Sequence, residues 1–407
     1  NTSKYARQDK NVYQEIKRQS RDAARQMAYI YNTSLYPAYK NTETEYYPMG
    51  EDFFAGLVEA LKNAKRYIFL EFFIVKKGYM WDTILDILKQ KAAEGVDVRF
   101  MYDDIGCMDL LPRYYYKTLN KYGIRCSVFN RLRPVINSMF NNRDHRKIVA
   151  IDGHTAFVCG ANIGDEYINK KERFGTWKDS GLRLKGDGAW GFTLMFSQLW
   201  DYTMNETTDP QTLLPLDEEI EGIESDGYVQ PYADNPVDDI RLAENVYLNI
   251  ISKAERYVFI NTPYLILNDN LRLALIAAAE SGVDVRITTP HIPDKKVVFL
   301  LTRANYKPLL EAGVKIYEYT PGFMHAKSYV CDDQFAVIGT INTDYRSLFL
   351  HFECAAFMYG TSSVMALKHD YIKTLDVCTQ VTMQDVQRTP WHQKAAQYIL
   401  KIFAPLI

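Results

Sequence analysis

Two hydrophobic periods alternate along the chain. LKQKAAEGVDVRF and LIAAAESGVDVRI each begin with apolar residues spaced as on one face of a helix, reach a glycine, and pass into a Val-rich run. The first part predicts a helix closed by glycine at its C-terminus, the second a buried strand. Wider blocks repeat in the same order. AKRYIFLEFF at 64–73 is echoed by AERYVFINTPY at 254–264, EGVDVRFMYDD at 94–104 by SGVDVRITTPH at 281–291, and KYGIRCSVFN at 121–130 by EAGVKIYEYT at 311–320. Each half reads strand, helix, strand, helix, strand, then a hairpin. Alternating strands and helices predict parallel pairing in an α/β layered lobe. Two such lobes suit 407 residues, because ordinary domains run to roughly 100–200 residues. The predicted division is an N-terminal helical segment at 1–44, a first lobe at 45–215, and a second lobe at 216–407 that carries a C-terminal helix.

The hairpins carry chemistry. The first reads HRKIVAIDGHTAFVCGAN, with His145, Lys147, Asp152 and Asn162; the second reads HAKSYVCDDQFAVIGTIN, with His325, Lys327, Asp332 and Asn342. In a chain with seven histidines, two copies of one His/Lys/Asp/Asn spacing are hard to ascribe to accident. Residues two apart on a strand share a face, so each histidine projects with its lysine. Asp152 and Asp332 have the opposite parity and fall at the DG and DD turns, which gives them a structural role. The returning strands should bring Asn162 and Asn342 back beside the histidines. A histidine, a lysine and an amide converging on one point make an anion site that contains a nucleophile, which points to phosphoryl chemistry.

From about residue 41 the chain resembles the phospholipase D superfamily, whose signature is this paired HxKx4D block, and within it the bacterial cardiolipin synthases. The resemblance is carried by NNRDHRKIVAIDG, GANIGDEY, TWKDSGLRLKGDGA, INTPYLI, GFMHAKSYVCDDQFAVIGTINTDYRSLFLHFE and the ending APLI. It implies two duplicated α/β/α lobes with mixed sheets, packed as a pseudo-two-fold pair around a site between them. It implies a phosphohistidine mechanism with His145 as nucleophile and His325 as acid–base; the near-symmetrical residues themselves do not choose between the two. At neutral pH one imidazole is expected neutral and its partner protonated. Lys147, Lys327, Asn162 and Asn342 would hold the non-bridging oxygens. Asp179 and Glu353 lie 34 and 28 residues beyond the motif histidines. By the resemblance each reaches across to the other lobe, Glu353 to His145 and Asp179 to His325. Cys159 departs from the family by standing where glycine is usual; a free cysteine of this kind is expected to point into the core.

Composition bounds the alternatives. The net charge of −2 supplies no global attraction for a polyanion, which weighs against a nuclease. Phosphate affinity must come from local groups, and Arg131, Arg133, Arg143 and Arg146 are candidates beside the motif lysines. Arg143, Arg146, Tyr264, Arg303 and Thr340 are the candidate substrate-binding residues. No metal or other cofactor is required by the scheme, since the chain has no HExxH, CxxC pair, EF-hand-like loop or Walker glycine loop. Asp103 and Asp104 are read as helix-capping residues. Six cysteines without framework spacing read as reduced thiols.

The resemblance makes phospholipids, phosphatidylglycerol first, the expected partners, together with a membrane surface and not nucleic acid. The expected location is the cytoplasmic side of a bacterial cell membrane. No run of ~18 apolar residues is present, and the chain opens at Asn1 in a charged helical stretch, so a membrane anchor preceding it is expected. Val135, Ile136, Met139 and Phe140 suggest a loop touching lipid tails. The tyrosine-rich runs at 43–54 and 113–122 fit either a bilayer surface or ordinary packing. Tyr398, Ile399, Ile402 and Phe403 form a helical stripe expected to dock on the core. The leading function is phosphatidyl transfer between two phosphatidylglycerol molecules. Hydrolysis of the same lipids is the first alternative, a nuclease or phosphodiesterase the second, and a non-catalytic membrane scaffold the last.

Overall fold

The computed structural model describes residues 2–131 and 141–404. Arg133 and the Val135–Phe140 lipid-loop candidates lie outside these residues. The first half contributes β1 (Thr42–Tyr47), β2 (Tyr67–Phe72), β3 (Asp97–Asp103), β4 (Arg125–Phe129), β5 (Arg143–Asp144), β6 (Lys147–Ile151), β7 (Thr155–Cys159), β8 (Thr176–Lys178) and β9 (Gly181–Gly186). The second contributes β10 (Tyr228–Asp234), β11 (Tyr257–Asn261), β12 (Asp284–Pro290), β13 (Lys315–Tyr319), β14 (Gly322–Met324), β15 (Ser328–Cys331), β16 (Phe335–Gly339), β17 (His351–Tyr359) and β18 (Cys378–Gln380).

The strand orders repeat. The first sheet runs β1-β9-β7-β6-β2-β3-β4, the second β10-β17-β16-β15-β11-β12-β13 with β18 added at its edge. In each, the three central strands predicted from the echoed blocks pair in parallel and the motif hairpin adds antiparallel neighbours. Both sheets are therefore mixed, and the architecture is that of two duplicated α/β lobes. The predicted glycine stops recur at matching places: Gly95 and Gly282 follow the helices Tyr79–Ala93 and Asp269–Glu280 with φ of +91° and +95°, a conformation that costs a side-chain-bearing residue more.

Strand parity divides the core. Ile68, Leu70, Val149 and Ile151 pack under the helices of the first lobe, and Val258, Ile260, Val285 and Ile287 under those of the second. The alternate residues Ile148, Ala156 and Val158 meet Phe259, Val330 and Ile338 in a third cluster that joins the sheets. Strands buried on both faces explain why these runs are almost continuously apolar. The N-terminal helices join the second lobe's cluster through Ile16, Ala23, Met27 and Ile30. Tyr47, Phe53 and Phe54 are core residues, so those aromatics of the 43–54 run do not face a bilayer, whereas Tyr114 and Tyr122 are exposed. The C-terminal stripe does not dock: Tyr398, Ile399, Ile402 and Phe403 are all exposed, because the helix Trp391–Phe403 meets the protein through its other side. Among the described residues no helix is long and apolar enough to cross a membrane.

Candidate active site

Two short cross-lobe strand pairings build the site. β5 runs parallel to the start of β17, with Arg143 opposite His351 and Asp144 opposite Phe352. β14 runs parallel to β8, with Phe323 opposite Trp177 and Met324 opposite Lys178. One residue further in each register, a motif histidine meets a carboxylate of the other lobe. The His145 N–H donates to the Phe352 carbonyl (2.9 Å) and its Nδ1 lies 2.8 Å from Glu353 Oε1. The His325 N–H donates to the Lys178 carbonyl (2.7 Å) and its Nδ1 lies 2.5 Å from Asp179 Oδ2. With Nδ1 held by a carboxylate, Nε2 is the nitrogen left for chemistry in both rings.

The remaining motif residues are buried as well. Lys147 and Lys327 each donate to the carbonyl of the histidine two residues earlier. Asn162 accepts from the Ile74 N–H and donates to the Tyr167 hydroxyl; Asn342 keeps a buried Oδ1 without a hydrogen-bond partner among the described residues. Asp152 accepts three backbone N–H groups, from Lys65, Arg66 and Tyr67, and Asp332 accepts the matching three from Glu255, Arg256 and Tyr257. Both aspartates have positive φ, and they tie the hairpin turns to the first residues of β2 and β11.

Burial governs the charges. It holds His145 well below the ordinary imidazole range, with Lys147 adding to the effect, and it lowers His325 to about 4 together with Lys327. Both rings are thus harder to protonate than the unperturbed imidazoles from which a one-neutral, one-protonated pair is expected. Burial also lowers Lys327 to about 7. The carboxylates differ. Burial lifts Glu353 well above its usual range, although Lys147, Thr340 and Ser347 pull the other way. Burial raises Asp179 too, but the charges of His325 and Lys327 outweigh it and hold the group below its ordinary value.

The candidate substrate-binding residues are held by other partners. Thr340 is fully buried and donates to Glu353, beside the 2.7 Å bond from the Ser347 hydroxyl; it supports the carboxylate rather than a headgroup. Arg143 grips both oxygens of Asp103 at 2.7–3.1 Å, because that buried acid, which also caps the helix Asp104–Cys107, needs a counter-charge. Arg146 is buried 3.7 Å from Glu71. Arg303 forks onto Glu318, and the Tyr264 hydroxyl donates to Asp294 at 2.6 Å. Cys159 lies in the first lobe's core.

Some residues at the site escaped the sequence reading. His351 lies two residues before Glu353 and its ring centroid is 5.5 Å from that of His145; Trp177 lies two before Asp179 and is 5.3 Å from His325. The His351 Nδ1 and the Trp177 Nε1 are both buried without a hydrogen-bond partner among the described residues. Strand parity was the available signal, since residues two apart share a face. Among the described residues two groups have the donors and the closeness to hold a cation, His145 with His351 and Glu353, and Asp152 with His154 and Glu219. In each, a donor is already engaged, by the His145–Glu353 bond or by the backbone N–H groups on Asp152.

Two duplicated lobes whose motif histidines each lie against a carboxylate of the other lobe and act electrostatically on one another define a phospholipase D-type site. A family model described as cardiolipin synthase, phospholipase D-like domain, matches residues 57–174 and 247–375. The chain belongs to that family. It is 37% identical over 369 residues to a cardiolipin synthase of Halalkalibacterium halodurans, covering 90% of this chain and 73% of the relative. It is 44% identical over 403 residues to an uncharacterized protein of Streptococcus mutans, covering 99% and 87%. A phosphatidylserine synthase from Haemophilus influenzae shares the fold, with a TM-score of 0.68, 16% identity, and coverage of 95% of this chain and 98% of that one.

Proposed function

We propose that the protein is a cardiolipin synthase, a phosphatidyltransferase that moves a phosphatidyl group from one phosphatidylglycerol to a hydroxyl of a second and releases glycerol. The observation that carries the chemistry is the crossed arrangement of two buried imidazoles, each fixed through Nδ1 by a carboxylate of the opposite lobe. The name of the relatives supplies the substrate class.

In this reading Nε2 of His145 attacks the phosphorus. An N–P bond forms as the P–O bond to glycerol breaks, and His325 delivers a proton to the leaving oxygen. His325 then takes the proton of the second lipid's hydroxyl, whose oxygen attacks phosphorus and releases His145. The unequal carboxylates favour this division of labour: His325 sits on the ionised Asp179 and accepts a proton more readily than His145 does. The phosphodiester anion offsets the lysine charges when it binds, which raises both imidazoles and lets His325 act as the acid. Lys147, Lys327 and Asn342 are suited to the charge of the pentacoordinate state, and Trp177 and His351 to polar groups of the substrate. One phosphodiester is exchanged for another, so no nucleotide is consumed. The free thiols favour the cytoplasmic face of the membrane.

Incubation with labelled phosphatidylglycerol in detergent tests the reading by its products. Cardiolipin and glycerol in equal amounts are expected. Phosphatidic acid without cardiolipin would replace transfer by hydrolysis and overturn it.

A further inference from the structure

The helix Trp391–Phe403 lies on the protein with its apolar side outward. Trp391 is 81% exposed and Tyr398 and Ile402 are 76% exposed, with Ile399 and Phe403 beside them. These residues are spaced 7, 8, 11 and 12 positions from Trp391 and therefore share one face. Gln393, Ala396, Gln397 and Leu400 on the other side are partly covered. In water an amphipathic helix turns its apolar stripe to the core. Here the orientation is reversed, so something apolar other than the core has to cover the stripe.

We propose that this face is a lipid-binding surface that lies in the headgroup–acyl boundary of a membrane and holds the rim of the second lobe against it. The face combines a tryptophan and a tyrosine with aliphatic residues, the mixture favoured at a membrane–water interface. The helix contains Lys394 and Lys401 and no acidic residue, which suits anionic headgroups. A second copy of the chain fits less well. Thirteen residues make a helix about 20 Å long and about 10 Å wide, a footprint of ~200 Å², against the ~800 Å² per partner of a stable interface.

Its position is also suited to lipid, and this point rests on the reading of lipid as substrate. The helix joins Ile266, Val298 and Leu301 in a small cluster that Tyr264 borders, and Tyr264 packs on the first lobe's core as well. Lys295 Nζ lies 5.9 Å from the centroid of the Tyr264 ring and acts electrostatically on His351, beside His145. A membrane on the exposed face would thus lie next to the site that receives the headgroup.

Vesicles of phosphatidylglycerol and phosphatidylcholine provide the test. Trp391 is exposed whereas Trp81, Trp177, Trp190 and Trp200 are buried, so a blue shift of tryptophan emission reports on this helix, with Trp391→Phe as control. We expect the shift together with co-sedimentation. The combined variant Tyr398→Ser, Ile399→Ser, Ile402→Ser, Phe403→Ser should bind ~10-fold or more weakly with an unchanged Tm and unchanged turnover of micellar short-chain phosphatidylglycerol. Wild-type sedimentation by that variant would overturn the proposal. So would a wild-type dimer in ultracentrifugation that the variant lacks, without vesicle binding. Vesicle binding through this face by a protein that turns over no lipid would sustain this inference and remove the functional one.

Discussion

A Cβ built on Gly160 would fall 2.2 Å from Oδ1 of Asp179. Fifteen residues beyond His325, at the matching place, Thr340 instead donates its hydroxyl to Glu353. The shorter carboxylate needs open space, the longer one a support. Gly160→Ala should therefore displace Asp179 from His325 and lower kcat on the order of a hundredfold, with smaller change in KM. Steady-state kinetics check this; a kcat close to wild type would show that Asp179 tolerates the added methyl.

The same asymmetry ranks two isosteric changes. Asp179 is held ionised by His325 and Lys327, whereas burial lifts Glu353 toward its neutral form. Asp179→Asn should lower kcat on the order of a thousandfold through the wrong tautomer of His325, and Glu353→Gln should cost less. Equal losses would mean that both carboxylates work as charges.

Assignment of the nucleophile is read by trapping. If His145 forms the N–P bond, a His325→Ala variant given a phosphate-labelled phosphatidyl ester of p-nitrophenol, whose leaving group needs no proton, should retain label because the second step lacks its base, and a His145→Ala variant should not. Quenching in alkaline detergent, which spares an N–P bond that acid would cleave, followed by counting of protein-bound phosphate measures it. Label retained only by the His145→Ala variant would reverse the roles.

Asp152 and Asp332 predict a cost in stability rather than a direct one in chemistry. Each gathers three backbone N–H groups at the start of a central strand. Alanine at either position would strand those donors and should lower unfolding stability by about 2–4 kcal/mol, measured by urea denaturation.

The duplicated fold was legible because its signals are local: echoed Val-rich runs, glycines that stop helices, and hairpins with a fixed motif spacing. Asp179 and Glu353 stood out as carboxylates at similar distances from the motifs. Which partner a buried side chain takes within its own lobe was not legible. Arg143 beside the motif reads as a phosphate ligand until Asp103, forty residues earlier, is seen to hold it. Thr340 reads as a free hydroxyl until Glu353 takes it. The helical period of Tyr398, Ile399, Ile402 and Phe403 defines a face, but not whether that face looks inward. That choice belongs to the packing of Leu400 and Ala404 near Val298.

His351 shows the same limit and allows one more test. It is an ordinary strand residue in the sequence, yet its ring stands beside His145 with a buried Nδ1 that has no hydrogen-bond partner among the described residues. Burial lowers it to about 3, with Arg346 and Lys147 contributing, and lowers His325 to about 4. An unfolded histidine titrates near ~6.5. As pH falls below that value the unfolded chain takes up protons that the folded site refuses, so stability declines from pH ~6.5 down toward ~4 and rises again with pH over the same window. His351→Asn removes one of the refusing groups. Between pH 7.5 and 5, its Tm should fall less than that of the wild type, by several degrees in differential scanning calorimetry. Its kcat should fall while KM for phosphatidylglycerol rises if the ring also meets substrate. An identical pH dependence in both proteins would place the His351 ring in contact with solvent rather than in the buried position beside His145.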